Sequence, residues 1–398
     1  MKNFLPIVLA LCMLLTSFLS GCLDDSNTDT PADNQNNGTL NNSSQPNTPN
    51  NSDTSNDPSI PSDNPTIQKP DVPYSEGLKY TVSEDRTYFV VTGKGTCTDN
   101  IISIPPTYEG LPVKQLGGSN GATKCYLDKV HTIILPDSIT TIGLTSAKEC
   151  KNIWFGQNTE TIVQLSLGLD AVNIYIPELI TWCQIEKDNW IAPYNLYINQ
   201  QLVTNLVIPD PITEISAYAF RGCRSIETVT FGNSVVSIGE NAFCSCVKLN
   251  QITFGNTLTF IGEQAFSYCL ELKSIDINGA ITSIGNEAFY SCEQLKSVNI
   301  GNSVTSIGER AFAYCKSMTD VTIGSSVTSI GGNAFVECDM LLRATFENTD
   351  GWSIARQTGS GDIENKTVLD PEELSNPATA AMHLTHKETA RSFLWTRQ

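Results

Sequence analysis

A period of 23 residues constrains this chain more than any other feature of its sequence. Isoleucine recurs once per period, at Ile215, Ile238, Ile261, Ile284, Ile307 and Ile330. Phenylalanine recurs at Phe220, Phe243, Phe266, Phe289, Phe312 and Phe335, and a cysteine lies three residues after each of these phenylalanines. Because a unit of this length cannot bury an apolar face alone, successive units must stack on one another. The period therefore predicts a solenoid with an extended surface, which suits binding better than catalysis.

The pattern within one unit predicts its local structure. Alternating apolar residues at 252–254 predict a short strand with one buried face, and Gly-Asn at 255–256 ends that strand in a turn. Residues 258–261 form a second extended piece, and the apolar spacing within 265–269 predicts one helical turn. The expected fold class is an α/β repeat solenoid of short strands and short helical turns.

The first 73 residues differ from the repeats. Residues 1–21 carry one early positive charge and an apolar run too short for a permanent span, which predicts a signal peptide. The run ends in Leu-Ser-Gly before Cys22 and resembles the lipobox of bacterial lipoproteins. This resemblance implies acyl chains on Cys22 that anchor the protein in a membrane. The alternative is a plain signal peptide followed by an incidental cysteine.

The segment 22–73 is rich in Asn, Asp, Ser, Thr and Pro, a composition that predicts a disordered tether. We expect the solenoid to span 74–346, with irregular units over 74–211 and regular units over 212–346, and a C-terminal cap over 347–398. The formal net charge of −18, without a Lys/Arg cluster, argues against nucleic acid as a partner and against docking on anionic headgroups.

The repeat unit resembles the BspA-like class of bacterial leucine-rich repeats. Six units over 212–346 match this pattern closely, and a looser match covers about 74–398. The resemblance implies a leucine-rich-repeat array with N- and C-terminal caps, in which Asp370 caps a helix begun by Pro371. It also implies a surface-exposed protein that binds host proteins, although a fold does not determine its ligand.

Thirteen cysteines in an exported chain invite a disulfide framework. Eight of them share one inward repeat position: Cys125, Cys150, Cys223, Cys246, Cys269, Cys292, Cys315 and Cys338. Parallel side chains in stacked coils suit disulfide geometry poorly, so the sequence predicts a ladder of buried free thiols. Cys97, Cys183 and Cys244 lie off this ladder, and Cys97 and Cys183 are the candidates for a bridged or reactive thiol.

A Cys/His nucleophile pair is the one hydrolytic chemistry that these residues allow. His383 and His386 stand three residues apart, a spacing that could seat two metal ligands, but no third ligand of convincing spacing accompanies them. Two surface histidines on a capping helix are therefore the favoured interpretation. We expect no enzyme, no metal and no cofactor.

Outward strand positions of the regular units form the candidate ligand-binding row: Thr230, Thr253, Asp276, Asn299 and Thr322. A sheet face that is merely soluble is the competing interpretation of this row. A second candidate patch is the aromatic variant region, with Trp154, Phe155, Trp182, Trp190, Tyr194 and Tyr197, although most of these rings are expected in the core. Such a face would suit weak contacts that many anchored copies of the protein form at the same time.

These observations favour a lipid-anchored, surface-exposed protein of the bacterial envelope. Its solenoid would bind a macromolecular partner, a protein, and mediate adhesion to host or neighbouring-cell macromolecules. An envelope scaffold that has no specific ligand, or that self-associates, is the alternative, and a thiol hydrolase is the third.

Overall fold

The computed structural model describes residues 68–118, 123–168, 170–187, 193–357, 363–385 and 393–397. The chain divides into two units, Met1–Ile60 and Pro61–Gln398, and the described residues all belong to the second. The predicted signal peptide, Cys22 and the predicted tether up to residue 67 lie outside the described residues, as do Trp190 and His386. Among the described residues, no helix is both long enough and apolar enough to cross a bilayer.

The described residues form a repeat solenoid of strands with few helices. The strands in chain order are β1 (Lys79–Val82), β2 (Phe89–Gly93), β3 (Ile101–Ser103), β4 (Thr107–Tyr108), β5 (Leu111–Leu116), β6 (Thr132–Ile134), β7 (Thr141–Ala147), β8 (Asn152–Trp154), β9 (Thr161–Leu167), β10 (Val172–Ile176), β11 (Glu186–Lys187), β12 (Tyr194–Ile198), β13 (Gln201–Leu202), β14 (Asn205–Ile208), β15 (Glu214–Ile215), β16 (Thr228–Phe231), β17 (Ser237–Ile238), β18 (Gln251–Thr253), β19 (Phe260–Ile261), β20 (Ser274–Ile277), β21 (Ser283–Ile284), β22 (Ser297–Ile300), β23 (Ser306–Ile307), β24 (Asp320–Ile323), β25 (Ser329–Ile330), β26 (Arg343–Phe346), β27 (Trp352–Gln357), β28 (Ile363–Val368) and β29 (Phe393–Arg397). The helices are α1 (Leu179–Gln184), α2 (Pro371–Ser375) and α3 (Pro377–Thr385).

Each regular coil contributes one strand to each of two parallel ladders. The first ladder contains parallel strands of three sheets, β3-β6-β8-β10-β12, β14-β16-β18 and β20-β22-β24-β26, and β13 adds to β12 as an antiparallel strand. The second ladder contains β2-β5-β7-β9-β11 and β15-β17-β19-β21-β23-β25. In both ladders the regular strands pair residues that are 23 apart, such as Val298 with Val321. This register places equivalent side chains in columns, so apolar residues stack inward and polar residues stack outward.

The predicted helical turns are wrong, because the segment that follows each second-ladder strand forms turns instead of helix. Alternate backbone N–H groups of this segment bond to the next coil: Gln264 N donates to Asn286 O at 2.9 Å, and Phe266 N donates to Ala288 O at 2.8 Å. An α-helix would direct these donors along its own axis. We call this third set of inter-coil bonds the turn ladder, which spans residues 218–222 and the equivalent positions up to 337.

Recurring left-handed residues shape the turn ladder. In each regular coil two positions have positive φ, occupied by Tyr218, Asn241, Gln264, Glu287, Arg310 and Asn333 and by Gly222, Ser245, Tyr268, Ser291, Tyr314 and Glu337. For residues other than glycine such a conformation costs on the order of 1 kcal/mol or more, so the surrounding structure must enforce it. The bonds to the next coil supply that constraint and exclude a regular helix.

The phenylalanine and cysteine columns fill the core beneath the turn ladder. Neighbouring rings from Phe220 to Phe335 stack with centroids 5.0 to 5.3 Å apart. The Cys246 thiol donates to the carbonyl of Phe220 at 3.2 Å, and the equivalent bond recurs up to Cys338 and Phe312. All eight cysteines of the predicted ladder are buried and free, which confirms that prediction.

The C-terminal segment continues the second ladder with antiparallel strands. Strand β29 pairs with β25 and with β27, and β27 pairs with β28. Helix α2 begins as predicted, because the Asp370 carboxylate accepts a bond from Glu372 N at 2.9 Å. Trp352 and Trp395 are buried there. That 347–398 acts as a cap stays a prediction.

Candidate functional site

The candidate row lies on the outward side of the first ladder. Thr230, Thr253, Asp276 and Asn299 are exposed and Thr322 is half-buried. The residue that follows Thr322 in register is Thr345, which extends the row by one exposed position that the sequence analysis did not include. Buried residues alternate with the row along each strand, so the row is a surface of the fold.

Two polar contacts order the middle of this face. The Asn299 amide donates to the Asp276 carboxylate at 2.6 Å, across adjacent strands. In the neighbouring outward column Arg343 forms an ion pair with Asp320, to which the Thr319 hydroxyl also donates at 2.7 Å. These bonds favour the charged carboxylate and lower the pKa of Asp320 below its usual value. The face therefore presents fixed amide, hydroxyl and carboxylate groups.

The first ladder is interrupted within the row, between Thr253 and Asp276. Strands β18 and β20 belong to different sheets, although the coils on both sides pair in register. Most regular coils have glycine at the end of the strand, and a β-carbon on Gly324 would lie 2.5 Å from the carbonyl oxygen of Gly301. The coil of β20 has Asn278 at this position instead of glycine. The first ladder is thus divided into two sheets at this point of the row.

The aromatic variant region forms two separate clusters. Trp182 and Tyr194 lie in the main core, where the Trp182 indole donates to Ala219 O at 2.9 Å. Trp154, Tyr175 and Tyr197 instead stack on the outward side of the first ladder, with centroids 3.8 and 4.5 Å apart. Their exposed fractions are only 3 to 9%. This stack is therefore a second small core and offers little free surface.

The cover of this outer stack includes part of the predicted tether. Val72, which the sequence analysis places in the tether, packs against the stack together with Ile101 and Leu202. Beside it the Ser75 backbone donates to Ser103 O at 2.8 Å, on strand β3. The last residues of the predicted tether therefore lie on the solenoid.

Three tyrosines form a surface group that the sequence analysis missed. Tyr268, Tyr290 and Tyr314 lie on the turn ladder of consecutive coils, with ring centroids 5.4 and 5.2 Å apart. Tyr314 is exposed and the other two are half-buried. Their spacings of 22 and 24 residues depart from the 23-residue period, so a search for identical repeat positions does not reveal them.

The off-ladder cysteines Cys97, Cys183 and Cys244 are also buried, and none of the three forms a disulfide bridge. Burial raises the pKa of Cys183 to about 12. Next to it, burial lowers the pKa of Lys187 to about 7. The Lys187 ammonium lies 4.4 Å from the centroid of the Trp182 ring and donates to the Trp182 carbonyl at 2.8 Å. Buried, protonated thiols are poor nucleophiles.

The histidines lie beside single carboxylates. His131 Nε2 is 3.9 Å from a Glu149 oxygen, and His383 Nε2 is 3.4 Å from a Glu373 oxygen. Across the described ranges, no three His, Cys, Asp or Glu side chains come together in a way that could hold a metal ion. The spacing of His383 and His386 cannot be compared with the structure, because His386 lies outside those ranges.

Residues 192–315 match the family model described as BspA type Leucine rich repeat region, in six copies. This part of the chain is therefore similar to the BspA-type leucine-rich repeats, as the resemblance of its repeat unit predicts.

Solved structures of leucine-rich repeat proteins are also similar. One from Bacteroides ovatus shares 20% identity over 68% of this chain and 75% of its own, with a TM-score of 0.40. A leucine rich cell surface protein from Faecalibacterium prausnitzii shares 20% identity over 64% of this chain and 95% of its own, with a TM-score of 0.30. One from T. pallidum shares 18% identity over 69% and 91%, with a TM-score of 0.29. No curated protein matches the sequence.

Proposed function

We propose that this protein is a lipid-anchored bacterial surface protein whose leucine-rich-repeat solenoid binds a partner protein and thereby mediates adhesion. The observation that carries the proposal is the outward row of Thr230, Thr253, Asp276, Asn299 and Thr322 on stacked coils, of which all but the half-buried Thr322 are exposed. Repeat solenoids use such extended surfaces for binding. The lipid on Cys22 rests on the sequence before it, and the surface location rests on that lipid and on the polar tether.

A binding role accounts for the described chemistry better than a thiol hydrolase does. The candidate thiols are buried, and burial keeps Cys183 protonated at neutral pH. The candidate row, in contrast, is accessible and carries both donors and acceptors. Each single contact at an exposed rim contributes little, so affinity would come from several coils and many anchored copies.

Binding by the full chain tests the use of this row. The chain would be applied to immobilised extracellular-matrix proteins, glycans and whole cells, and compared with the Asp276→Ala/Asn299→Ala variant. The matched control is Thr282→Ala/Thr305→Ala, which changes exposed side chains of the second-ladder side in the same two coils. Protein binding that only the first variant loses by tenfold or more supports the proposal. Equal binding by all three proteins would refute it for this row.

Self-association distinguishes the envelope scaffold from the adhesin. Sedimentation of the full chain in detergent should give monomers if the row serves another protein. Concentration-dependent oligomers, together with no binding to the panel, would favour the scaffold.

Metabolic labelling with a fatty acid tests the anchor. Wild-type protein should incorporate the label, and Cys22→Ser should not. Equal labelling of both proteins, or of neither, would contradict the assignment of Cys22 as the lipid site.

A further inference from the structure

The tyrosine patch, Tyr268, Tyr290 and Tyr314, is a surface of the turn ladder distinct from the candidate row. Its rings lie in three consecutive coils, and adjacent rings are inclined by 63° and 55°. Tyrosine combines a large apolar ring with a hydroxyl tip and loses little conformational entropy on binding, so it is enriched in binding hot spots. Three such rings at one edge are the richest aromatic group that the regular coils expose.

The ring inclinations indicate the class of partner. Parallel, coplanar rings would offer one flat platform for a sugar ring or a base. Rings inclined by more than 50° instead offer separate edges and faces. Such relief suits the uneven surface of a folded protein, in which side chains can insert between the rings.

The charged residues beside the patch indicate the sign of the charge on the partner's surface. Glu240, Glu263 and Glu309 each directly precede the turn-ladder segment of their coil, and Glu287 is the first residue of the segment that contains Tyr290. Gln264 and Arg310 both contact Glu287, at 2.8 and 3.5 Å, and Arg310 is also 3.8 Å from Glu309. Burial and the charges of Glu240 and Glu287 raise the pKa of Glu263. Arg310 therefore pairs with two of these carboxylates, and the surroundings of the patch remain negatively charged.

We infer that the tyrosine patch and its flanking carboxylates form a second interaction surface, which binds a basic surface of a partner protein. The tyrosines would supply the buried contacts, and the carboxylates would steer and orient the partner. Lysine and arginine side chains can also lie over tyrosine rings, which adds a favourable cation–π contribution. This surface does not depend on the candidate row, and either can fail without the other.

Binding of the full chain to defined probes tests this inference. The probes are egg-white lysozyme, which is basic, α-lactalbumin, an acidic protein of the same fold, and an array of neutral glycans. The test variant is Tyr290→Ser/Tyr314→Ser. The control is Tyr108→Ser, because Tyr108 is 37% exposed and Tyr314 is 36% exposed. Circular dichroism and the thermal midpoint check that each variant is folded.

We expect the chain to bind lysozyme and not α-lactalbumin, with binding weakened by salt. The double variant should lose at least tenfold in affinity, and Tyr108→Ser should lose less than twofold. Lysozyme binding that is absent, or that a folded double variant retains, would overturn the inference. Glycan binding lost in the double variant would also overturn it and would assign the patch to carbohydrate. Asp276→Ala/Asn299→Ala should leave lysozyme binding unchanged, which separates this surface from the row.

Discussion

The regular and the irregular coils both stack in register, but different contacts hold neighbouring coils together in the two halves. From β14 to β26 the paired first-ladder residues are 23 apart wherever strands pair. In the irregular coils the column Thr132, Asn152, Asn173 and Asn195 advances by 20, 21 and 22 residues. Both halves nevertheless keep in-register parallel pairing, so the first ladder itself does not require a constant period.

The constant period is required by the turn ladder and by the columns beneath it. Regular second-ladder strands contain only two residues, whereas β7 and β9 contain seven each. In the regular coils the turn ladder and the phenylalanine column hold neighbours together. In the irregular coils longer second strands and the outer stack of Trp154, Tyr175 and Tyr197 do so. A free outward row therefore occurs in the coils that the turn ladder and the phenylalanine column hold together.

Removing one ring of the phenylalanine column should give the largest effect. Phe266→Ala leaves a cavity between two stacked rings and should lower the free energy of unfolding by about 3–5 kcal/mol. Urea denaturation followed by circular dichroism measures this. The control Phe260→Ala removes a ring of the same coil that is 43% exposed, and it should cost less than about 1 kcal/mol. Equal losses would show that the column does not hold the regular coils together.

The irregular half contains a buried lysine, Lys187, whereas the lysines of the regular coils are exposed. The pKa of Lys187, about 7, lies below the ordinary value of 10.5, so between these values the unfolded chain holds a proton that the folded chain does not. This group therefore makes the protein more stable as pH rises from 7 towards 10, by at most about 1.4 kcal/mol per pH unit.

Lys187→Met should abolish this contribution. From pH 7.5 to 9.5 the wild type should gain roughly 2 kcal/mol relative to the variant in urea denaturation. The cysteine ladder titrates in the unfolded state of both proteins, so its effect cancels in the difference. A difference that stays constant over this range would contradict the buried, neutral lysine.

Glycines in both halves differ in how closely the neighbouring coil approaches them. A β-carbon on Gly308 would lie 2.7 Å from the Gly285 carbonyl oxygen, whereas one on Gly93 would meet only Tyr126 O, at 3.6 Å. Gly308→Ala should therefore cost about 1–3 kcal/mol through forced separation of coils. Gly93→Ala should change the thermal midpoint little. If both variants melted alike, close coil approach would not explain the glycine column.

The smallest effect is expected on the surface of the regular coils. Arg343→Gln removes the ion pair with Asp320, which is exposed and screened, and should lower the free energy of unfolding only slightly at pH 7. Because the pKa of Asp320 is lowered in the folded state, this contribution exists above the ordinary pKa and is lost as pH falls below it. Denaturation of both proteins at pH 7 and pH 3 should thus show a difference that shrinks with acid.

Structural features that recur at a fixed repeat position can be predicted from the sequence, whereas features that depart from the repeat cannot. The period, the strands, the cysteine ladder and the Asp370 cap follow from residue types at constant spacing, and the structure agrees with them. The helical turns fail because the spacing of Ala265, Phe266 and Cys269 reports an inward face but not the direction of the backbone donors. Left-handed residues other than glycine leave no clear signal in a single sequence.

The surfaces are harder to predict than the core, because a small shift changes which side chains meet. The tyrosine patch is offset by one residue from the period, and the interruption of the first ladder coincides with an exchange of Gly and Asn at 278–279. The outer aromatic stack has the alternation of an exposed row, yet Val72 and its neighbours cover it. Composition alone does not indicate which outward row is covered.

Two matched double variants of the full chain would test the central claim, that the outward row of the regular coils binds a protein and the equivalent face of the irregular coils does not. The first variant is Asp276→Ala/Asn299→Ala, and the second is Asn152→Ala/Asn173→Ala, whose amides form the same kind of inter-strand bond at 3.1 Å. Both would be compared with the wild type for binding to the protein and cell panel. Loss of binding in the first variant alone is the predicted result. Loss in the second alone, with both variants folded, would contradict the account.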